Sequence, residues 1–137
     1  MNQTVAYPNG RNRVLVVDDD PAVLMMARAV LLGGGFSVIP ATCGESAVSI
    51  YTEEFFSQRE ISLVLLDLTL PGGITGLETL DSLRKIDPNV RVIASSGYFD
   101  ESAMQLARKR GFAGILPKPY SADKLIKLVQ WGVSRAA

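Results

Sequence analysis

The sequence predicts an α/β domain built as a doubly wound parallel sheet, and three observations carry that prediction. Short apolar runs alternate with helical patterns five times along the chain, and such alternation implies parallel strands joined by right-handed crossovers. The runs VLVV, LVLL and VIA are apolar at successive positions rather than at alternate ones, as strands covered by helices on both faces must be. The chain has 137 residues, of which 47% are hydrophobic and 20% charged. That is enough for one domain with a full core and too little for two.

Taken in order, residues 1–12 are polar and contain Pro8-Asn9-Gly10. They read as a flexible tail ahead of a domain over 13–134, with 135–137 as a C-terminal end. Residues 14–17 form the first strand, which runs straight into Asp18, Asp19 and Asp20. Asp20 before Pro21 marks a helix start, with the acid as N-cap and proline at the first helical position. That helix turns Val23, Met26, Ala27, Val30 and Leu31 inward and stops at Gly33-Gly34-Gly35. Residues 36–39 are the second strand, and a helix over 45–56 carries Ala47, Val48, Tyr51 and Phe55 on one face. The third strand, 61–66, again ends in an acid, Asp67. The loop LTLPGGITG follows, then a helix carrying Leu77, Leu80 and Leu83. The fourth strand spans 90–95. Asp100 caps a helix running to Arg110, whose last turn holds Arg108, Lys109 and Arg110, where cations suit the helix dipole. The fifth strand is 112–116, followed by Pro117-Lys118-Pro119 and a last helix from about Ser121, with Leu125, Leu128 and Val129 inward.

Three consecutive carboxylates need a reason. At about 4 Å and an effective dielectric near 20, neighbouring anions repel by roughly 4 kcal/mol. Capping accounts for Asp20 and leaves Asp18 and Asp19 with either a bound cation or plain solvent exposure. Ligands of open parallel sheets bind outside the carboxyl ends of the strands. On that edge fall Asp18 and Asp19 after the first strand, Asp67 after the third, Ser95 and Ser96 at the end of the fourth, and Lys118 after the fifth. Three acids, a hydroxyl and one lysine are oxygen donors and charges that suit a hard cation such as Mg²⁺ and an anionic phosphate beside it.

Absences narrow the chemistry. The chain has no histidine and one cysteine, Cys43, which excludes Ser-His-Asp and Cys-His nucleophiles, Cys/His zinc sites, an internal disulfide and a phosphohistidine of its own. Cys43 reads as a small, partly buried residue. Fourteen basic and fourteen acidic residues balance, so no direct nucleic-acid binding is expected. No apolar run approaches the roughly 18 residues of a membrane span, and the N-terminus has no hydrophobic leader core. A cytoplasmic protein with no membrane contact is expected.

The ordered motifs VLVVDDD, LVLLDLTLPG, VIASSGY and LPKPY resemble those of the receiver domains of two-component response regulators, the single-domain chemotaxis regulator being the familiar small example. The resemblance covers residues 13 to about 133. It implies a flavodoxin-like (βα)5 fold with strand order 2-1-3-4-5. It implies that Asp67 is the phosphoryl acceptor, that Asp19 and Asp67 bind Mg²⁺ directly, that Asp18 supports the metal through water or from just outside its direct ligands, and that Thr69 gives its backbone carbonyl to the ion. Ser96 and Lys118 would each hold a phosphoryl oxygen, with a cis Lys118-Pro119 bond. The donor would be a phosphohistidine of a sensor histidine kinase or a histidine phosphotransfer protein. The chain would then be no ordinary enzyme but a phosphoacceptor that assists its own phosphorylation and dephosphorylation. Its output would be a switched surface around the fourth and fifth helices, read by a downstream protein, in a monomer or weak homodimer.

Three positions depart from the commonest pattern. Ile115 stands where a Tyr or Phe usually swings inward, so the output change is expected to rely on Ser96 and backbone movement, with Tyr98 or Phe99 as a possible aromatic substitute. The loop PGGITGLE is one residue longer than usual, with Thr75 where an acid is frequent, as in receiver modules of hybrid histidine kinases. Thr69 has neither the reach of Glu nor the amide of Asn toward an attacking water. Two rival readings stand beside this one: a receiver-fold binding module that signals without phosphorylation, and a haloacid-dehalogenase-like phosphatase. The latter commonly needs a second Asp where Thr69 stands.

Overall fold

The computed structural model describes residues 12–134. Residues 1–11 and 135–137, expected to be a tail and a C-terminal end, lie outside the described residues. The elements alternate as β1 (Asn12–Val17), α1 (Pro21–Gly33), β2 (Phe36–Ala41), α2 (Gly44–Phe56), β3 (Leu63–Asp67), α3 (Gly76–Ile86), β4 (Val92–Ser96), α4 (Glu101–Lys109), β5 (Gly114–Pro117) and α5 (Ala122–Ser134). All five strands are parallel, in the order β2-β1-β3-β4-β5. The doubly wound (βα)5 architecture and its strand order are therefore as expected. Asn12, placed in the tail by the sequence, is the first residue of β1, paired with Phe36.

Each strand face has its own core. On one face Leu15, Val17, Val64 and Leu66 pack with Ala47 and Tyr51 of α2 and with Leu80 and Leu83 of α3. On the other, Val14, Val16, Leu63, Leu65 and Ile93 pack with Ala27 and Leu31 of α1 and with Leu125 and Val129 of α5. Burying a side chain of this size removes it from water at a gain of roughly 1.5–3 kcal/mol, so the central strands are held from both sides. The helix stripes predicted from spacing join these cores except at Val23 and Leu77, which are partly buried but belong to neither cluster, and at Phe55. Phe55, in the last turn of α2, is 40% exposed, and its ring stacks on Tyr51 and meets Phe56 edge-on.

Strand boundaries shift for identifiable reasons. Residues 90 and 112, expected to open strands, spend their amides on helix exits: Val90 N–H bonds Asp87 O at 3.0 Å and Phe112 N–H bonds Ala107 O at 3.1 Å. β4 and β5 consequently begin two residues later. β2 runs past its expected end through Pro40 to Ala41, which an edge strand tolerates because its outer side needs no amide donor. Asp20 caps α1 by accepting the Ala22 N–H at 2.9 Å, and Asp100 caps α4 from Ala103 at 2.8 Å, both as predicted. Thr75 and Glu78 form a reciprocal capping box on α3, the structural reason for the threonine at that position.

The amino end of the sheet is tied by one carboxylate. Glu54 on α2 pairs with Arg13 of β1 and, at 2.8 Å, with Arg59. The Arg59 bond first, with the Arg13 bond and both positive charges, holds the Glu54 carboxyl down at about 2. A depressed acid stabilises the fold above its ordinary value of 4.5 and loses that contribution as pH falls toward about 2. Glu54→Gln should therefore cost about 1–2 kcal/mol at pH 7. In urea unfolding across pH it should also flatten the acid limb in that window; an unchanged profile would contradict the assignment.

Candidate functional site

Sheet register brings the predicted residues to one pole. Val17 pairs with Leu66, so Asp18 and Asp67 leave adjacent strands side by side. Asp67 pairs with Ser95 and Ser96 with Pro117, which sets the ends of β4 and β5 beside them. The loop backbones are stitched together at this edge: Asp18 N–H bonds Ala41 O at 3.0 Å, Leu68 N–H bonds Ser95 O at 2.8 Å, and Lys118 N–H bonds Ser96 O at 2.8 Å. The Lys118-Pro119 peptide is cis, the geometry the resemblance implies.

Asp18, Asp19 and Asp67 each offer a carboxylate oxygen within 4.8 Å of the others. Asp18 and Asp67 are buried, at 2% and 1% exposure, and Asp19 is exposed. Lys118 reaches across from β5, its Nζ 2.6 Å from Asp18 Oδ2 and 3.0 Å from Asp67 Oδ2. Asp18 Oδ1 accepts the Asp20 N–H at 2.9 Å. Thr69 folds back on Asp67, donating both its N–H (2.9 Å) and its hydroxyl (2.8 Å) to Asp67 Oδ1. Ser96 lies at the same edge, but its hydroxyl is engaged locally. It donates to Tyr98 O at 3.2 Å and accepts the Tyr98 N–H at 3.1 Å. The Tyr98 ring is 71% exposed, so it does not fill the place of an inward aromatic. Ile115 is half-buried.

Three acids against one lysine leave the cluster net negative. Burial, with help from the Asp67 charge, pushes the Asp18 carboxyl above its usual range, although Lys118 and the Asp20 amide pull the other way. Burial alone would lower Lys118, but the bonds to Asp18 and Asp67 and their charges outweigh it and hold the ammonium above its usual value. Tyr120, next to the cis peptide, is pushed up to about 12 by burial and by the Asp18 charge. Clustered hard oxygens with an uncompensated negative charge are a donor set that fits Mg²⁺.

Three contributions escaped the sequence reading. Glu45, in the first turn of α2, accepts the Ile74 N–H at 2.9 Å and so pins the long β3–α3 loop, whose Gly72 and Gly73 sit at φ +66 and +57, a region glycine enters without strain. Gly76 returns that loop against β3 so closely that a Cβ there would lie 2.6 Å from Leu68 Cα and 3.0 Å from Asp67 O. The third glycine of PGGITG is thus the residue that lets α3 start beside Asp67. Cys43, read only as partly buried, caps α2, its sulfur taking the Ser46 N–H at 3.5 Å.

Removing Lys118 would strand two buried carboxylates. Lys118→Met should lower metal-free stability at pH 7 by about 3–5 kcal/mol. The raised Asp18 carboxyl takes up its proton as pH falls, so the deficit should narrow in acid, and Mg²⁺ should restore part of it at neutral pH. Urea unfolding in chelator at two pH values reads this directly; a cost below about 1 kcal/mol, independent of pH, would contradict the coupling.

Comparison with known proteins places this geometry. The family model for the response regulator receiver domain matches residues 14–130. The chain is 30% identical over 119 residues to chemotaxis protein CheY of Bacillus subtilis, covering 86% of this chain and 94% of that one. It is 30% identical over 118 residues to nitrogen assimilation regulatory protein NtrX of Azorhizobium caulinodans, covering 85% of this chain but only 25% of that longer protein. Among solved structures, the CheX–CheY–BeF3–Mg complex of Borrelia burgdorferi superposes with a TM-score of 0.80 at 28% identity, covering 88% of this chain and 87% of that one. With the acid cluster, the bridging lysine and the cis proline all at one sheet edge, the chain belongs to the response regulator receiver domain family, the phosphoacceptor modules of two-component signal transduction.

Proposed function

We propose that Asp67 accepts a phosphoryl group from a phosphohistidine of a sensor histidine kinase or histidine phosphotransfer protein. The observation that carries this reading is Lys118 held 2.6 Å from Asp18 and 3.0 Å from Asp67 beside a cluster of three acids. An ammonium thereby stands against both buried carboxylates, ready for the charge of an incoming phosphoryl group. Asp18, Asp19, Asp67 and the Thr69 backbone carbonyl would hold Mg²⁺, which when bound neutralises charge on the phosphoryl oxygens.

Asp67 attacks phosphorus in line. The new P–O bond forms as the donor P–N bond breaks, and the imidazole leaves with the bonding electron pair. Lys118 turns from the paired carboxylates to one phosphoryl oxygen. Ser96 releases the Tyr98 carbonyl and donates to another. Because Lys118 N–H is bonded to Ser96 O, movement of the loop after β4 is transmitted to the loop after β5 and to the face between α4 and α5. There Ile115, Pro117, Lys124, Lys127 and Trp131 line a shallow groove. We assign that face the output role, with backbone shift replacing the swing of an aromatic side chain at Ile115. Neither rival gains support: the whole acceptor set is present, and Thr69 occupies the place of the phosphatase's second acid. Cytoplasmic location, monomer or weak-dimer state and the absence of direct nucleic-acid contact belong to the same proposal, as does a receiver unit over residues 13–134.

The partner reading has a physical basis on α1. Ala22, Met25, Ala29 and Leu32 recur at spacings of three and four on the outward side of the helix, with Met25 73% and Leu32 50% exposed. This apolar stripe starts within one turn of Asp18 and Asp19 and suits a partner helix carrying the donor histidine.

Incubation with a small-molecule phosphodonor and Mg²⁺ should add the mass of one phosphoryl group to the wild-type chain and nothing to Asp67→Ala; modification of both would place the acceptor elsewhere. Met25→Lys should slow transfer from a phosphohistidine donor by about tenfold while leaving acceptance from the small donor unchanged. Equal slowing of both would place Met25 in the fold or the chemistry instead of the docking face.

A further inference from the structure

Asp67 is already crowded. A carboxylate offers about four lone-pair directions on its two oxygens. Oδ1 accepts the Thr69 N–H at 2.9 Å and the Thr69 hydroxyl at 2.8 Å, and Oδ2 accepts Lys118 Nζ at 3.0 Å. One direction is left, on Oδ2. An acceptor that both ligates a cation and attacks phosphorus needs one open direction on each oxygen, and Oδ1 has none.

We propose that the Thr69 hydroxyl is a built-in competitor for the acceptor carboxylate: it closes Asp67 Oδ1 in the metal-free protein and must turn away before that oxygen can be used. The inference rests on the reading of Asp67 as acceptor and metal ligand. Of the two groups on Oδ1, the hydroxyl is the one able to leave. The amide is fixed by the backbone, whereas the hydroxyl departs by rotation about one bond. Asp67 is 1% exposed, so water does not freely replace a lost partner on its side, while Thr69 is exposed and its released hydroxyl meets solvent at once. A hydrogen bond to an ionised carboxylate is stronger than a neutral one, so the competition carries weight. Thr69 is thus a positioning residue that sets how tightly the empty acceptor holds on to itself.

Isothermal titration of the chelator-stripped chain with MgCl2 tests this, using Thr69→Val, which keeps shape and amide but loses the hydroxyl, and Thr69→Ser, which keeps the hydroxyl. Thr69→Val should bind Mg²⁺ about three- to tenfold tighter than wild type, equivalent to about 0.6–1.4 kcal/mol, and Thr69→Ser should match wild type. By linkage, Thr69→Val should unfold at lower temperature than wild type in chelator, and the gap should close at saturating Mg²⁺. A merely structural threonine would leave the same gap in both conditions and the same Mg²⁺ affinity in both proteins, and either result would overturn the proposal. Absence of any Mg²⁺ binding by the wild-type chain would overturn the metal reading itself and the inference with it, an outcome distinct from equal binding by wild type and Thr69→Val.

Discussion

The constraint on which the rest depends is the presence of two buried carboxylates, Asp18 and Asp67, at the ends of adjacent strands with one ammonium between them. Ions removed from water cost several kcal/mol each unless paired. The fold satisfies that requirement only in part, since Asp19 adds a third negative charge within 4.8 Å and burial holds the Asp18 carboxyl above its usual range. The site is a deliberate shortfall of positive charge. In the proposed reading another cation would complete it, and an anion would then compete for Lys118. The proposed sensitivity to a divalent ion and to a phosphoryl group would thus follow from the same electrostatic deficit.

The remainder of the molecule holds that deficit in place. A sheet covered on both faces leaves only its edges and poles available for polar groups, and parallel strands deliver every carboxyl-end loop to one pole. Two apolar clusters, one on each face, fix the strand register that puts Asp18 next to Asp67. Backbone bonds from Leu68 to Ser95 and from Lys118 to Ser96 then join the third, fourth and fifth loops. In the proposed switch, a change at Asp67 would be felt as a pull on hydrogen-bonded backbone and would need no aromatic swing at Ile115.

Much of this was legible in the residues. Continuous apolar runs identified buried strands, and an acid or lysine directly after each run acquired meaning because the strand ends must share an edge. Asp18, Asp19, Asp67 and Lys118 were found in that way and lie together. Other features were invisible for physical reasons. The Thr69 hydroxyl on Asp67 depends on a choice among rotamers that no spacing encodes. The bond from Ile74 to Glu45 joins residues 29 positions apart, a contact known only once α2 and the long loop are assembled. Val90 and Phe112 read as strand by composition, yet turns leaving the preceding helices claim their amides. Thr75 is different: the T-x-x-E pattern of its capping box stands in the sequence, and the departure from the family at that position is a helix cap.

The central claim is that Asp19, Asp67 and Lys118 enclose one divalent ion and one phosphoryl group. A crystal structure of the chain with Mg²⁺ and beryllofluoride tests it most directly. The account predicts Mg²⁺ bonded at about 2.0–2.1 Å to carboxylate oxygens of Asp19 and Asp67, beryllofluoride on Asp67, and Lys118 moved from Asp18 to a fluorine. A metal bound elsewhere, or Lys118 still bridging Asp18 and Asp67 with beryllofluoride in place, would contradict it.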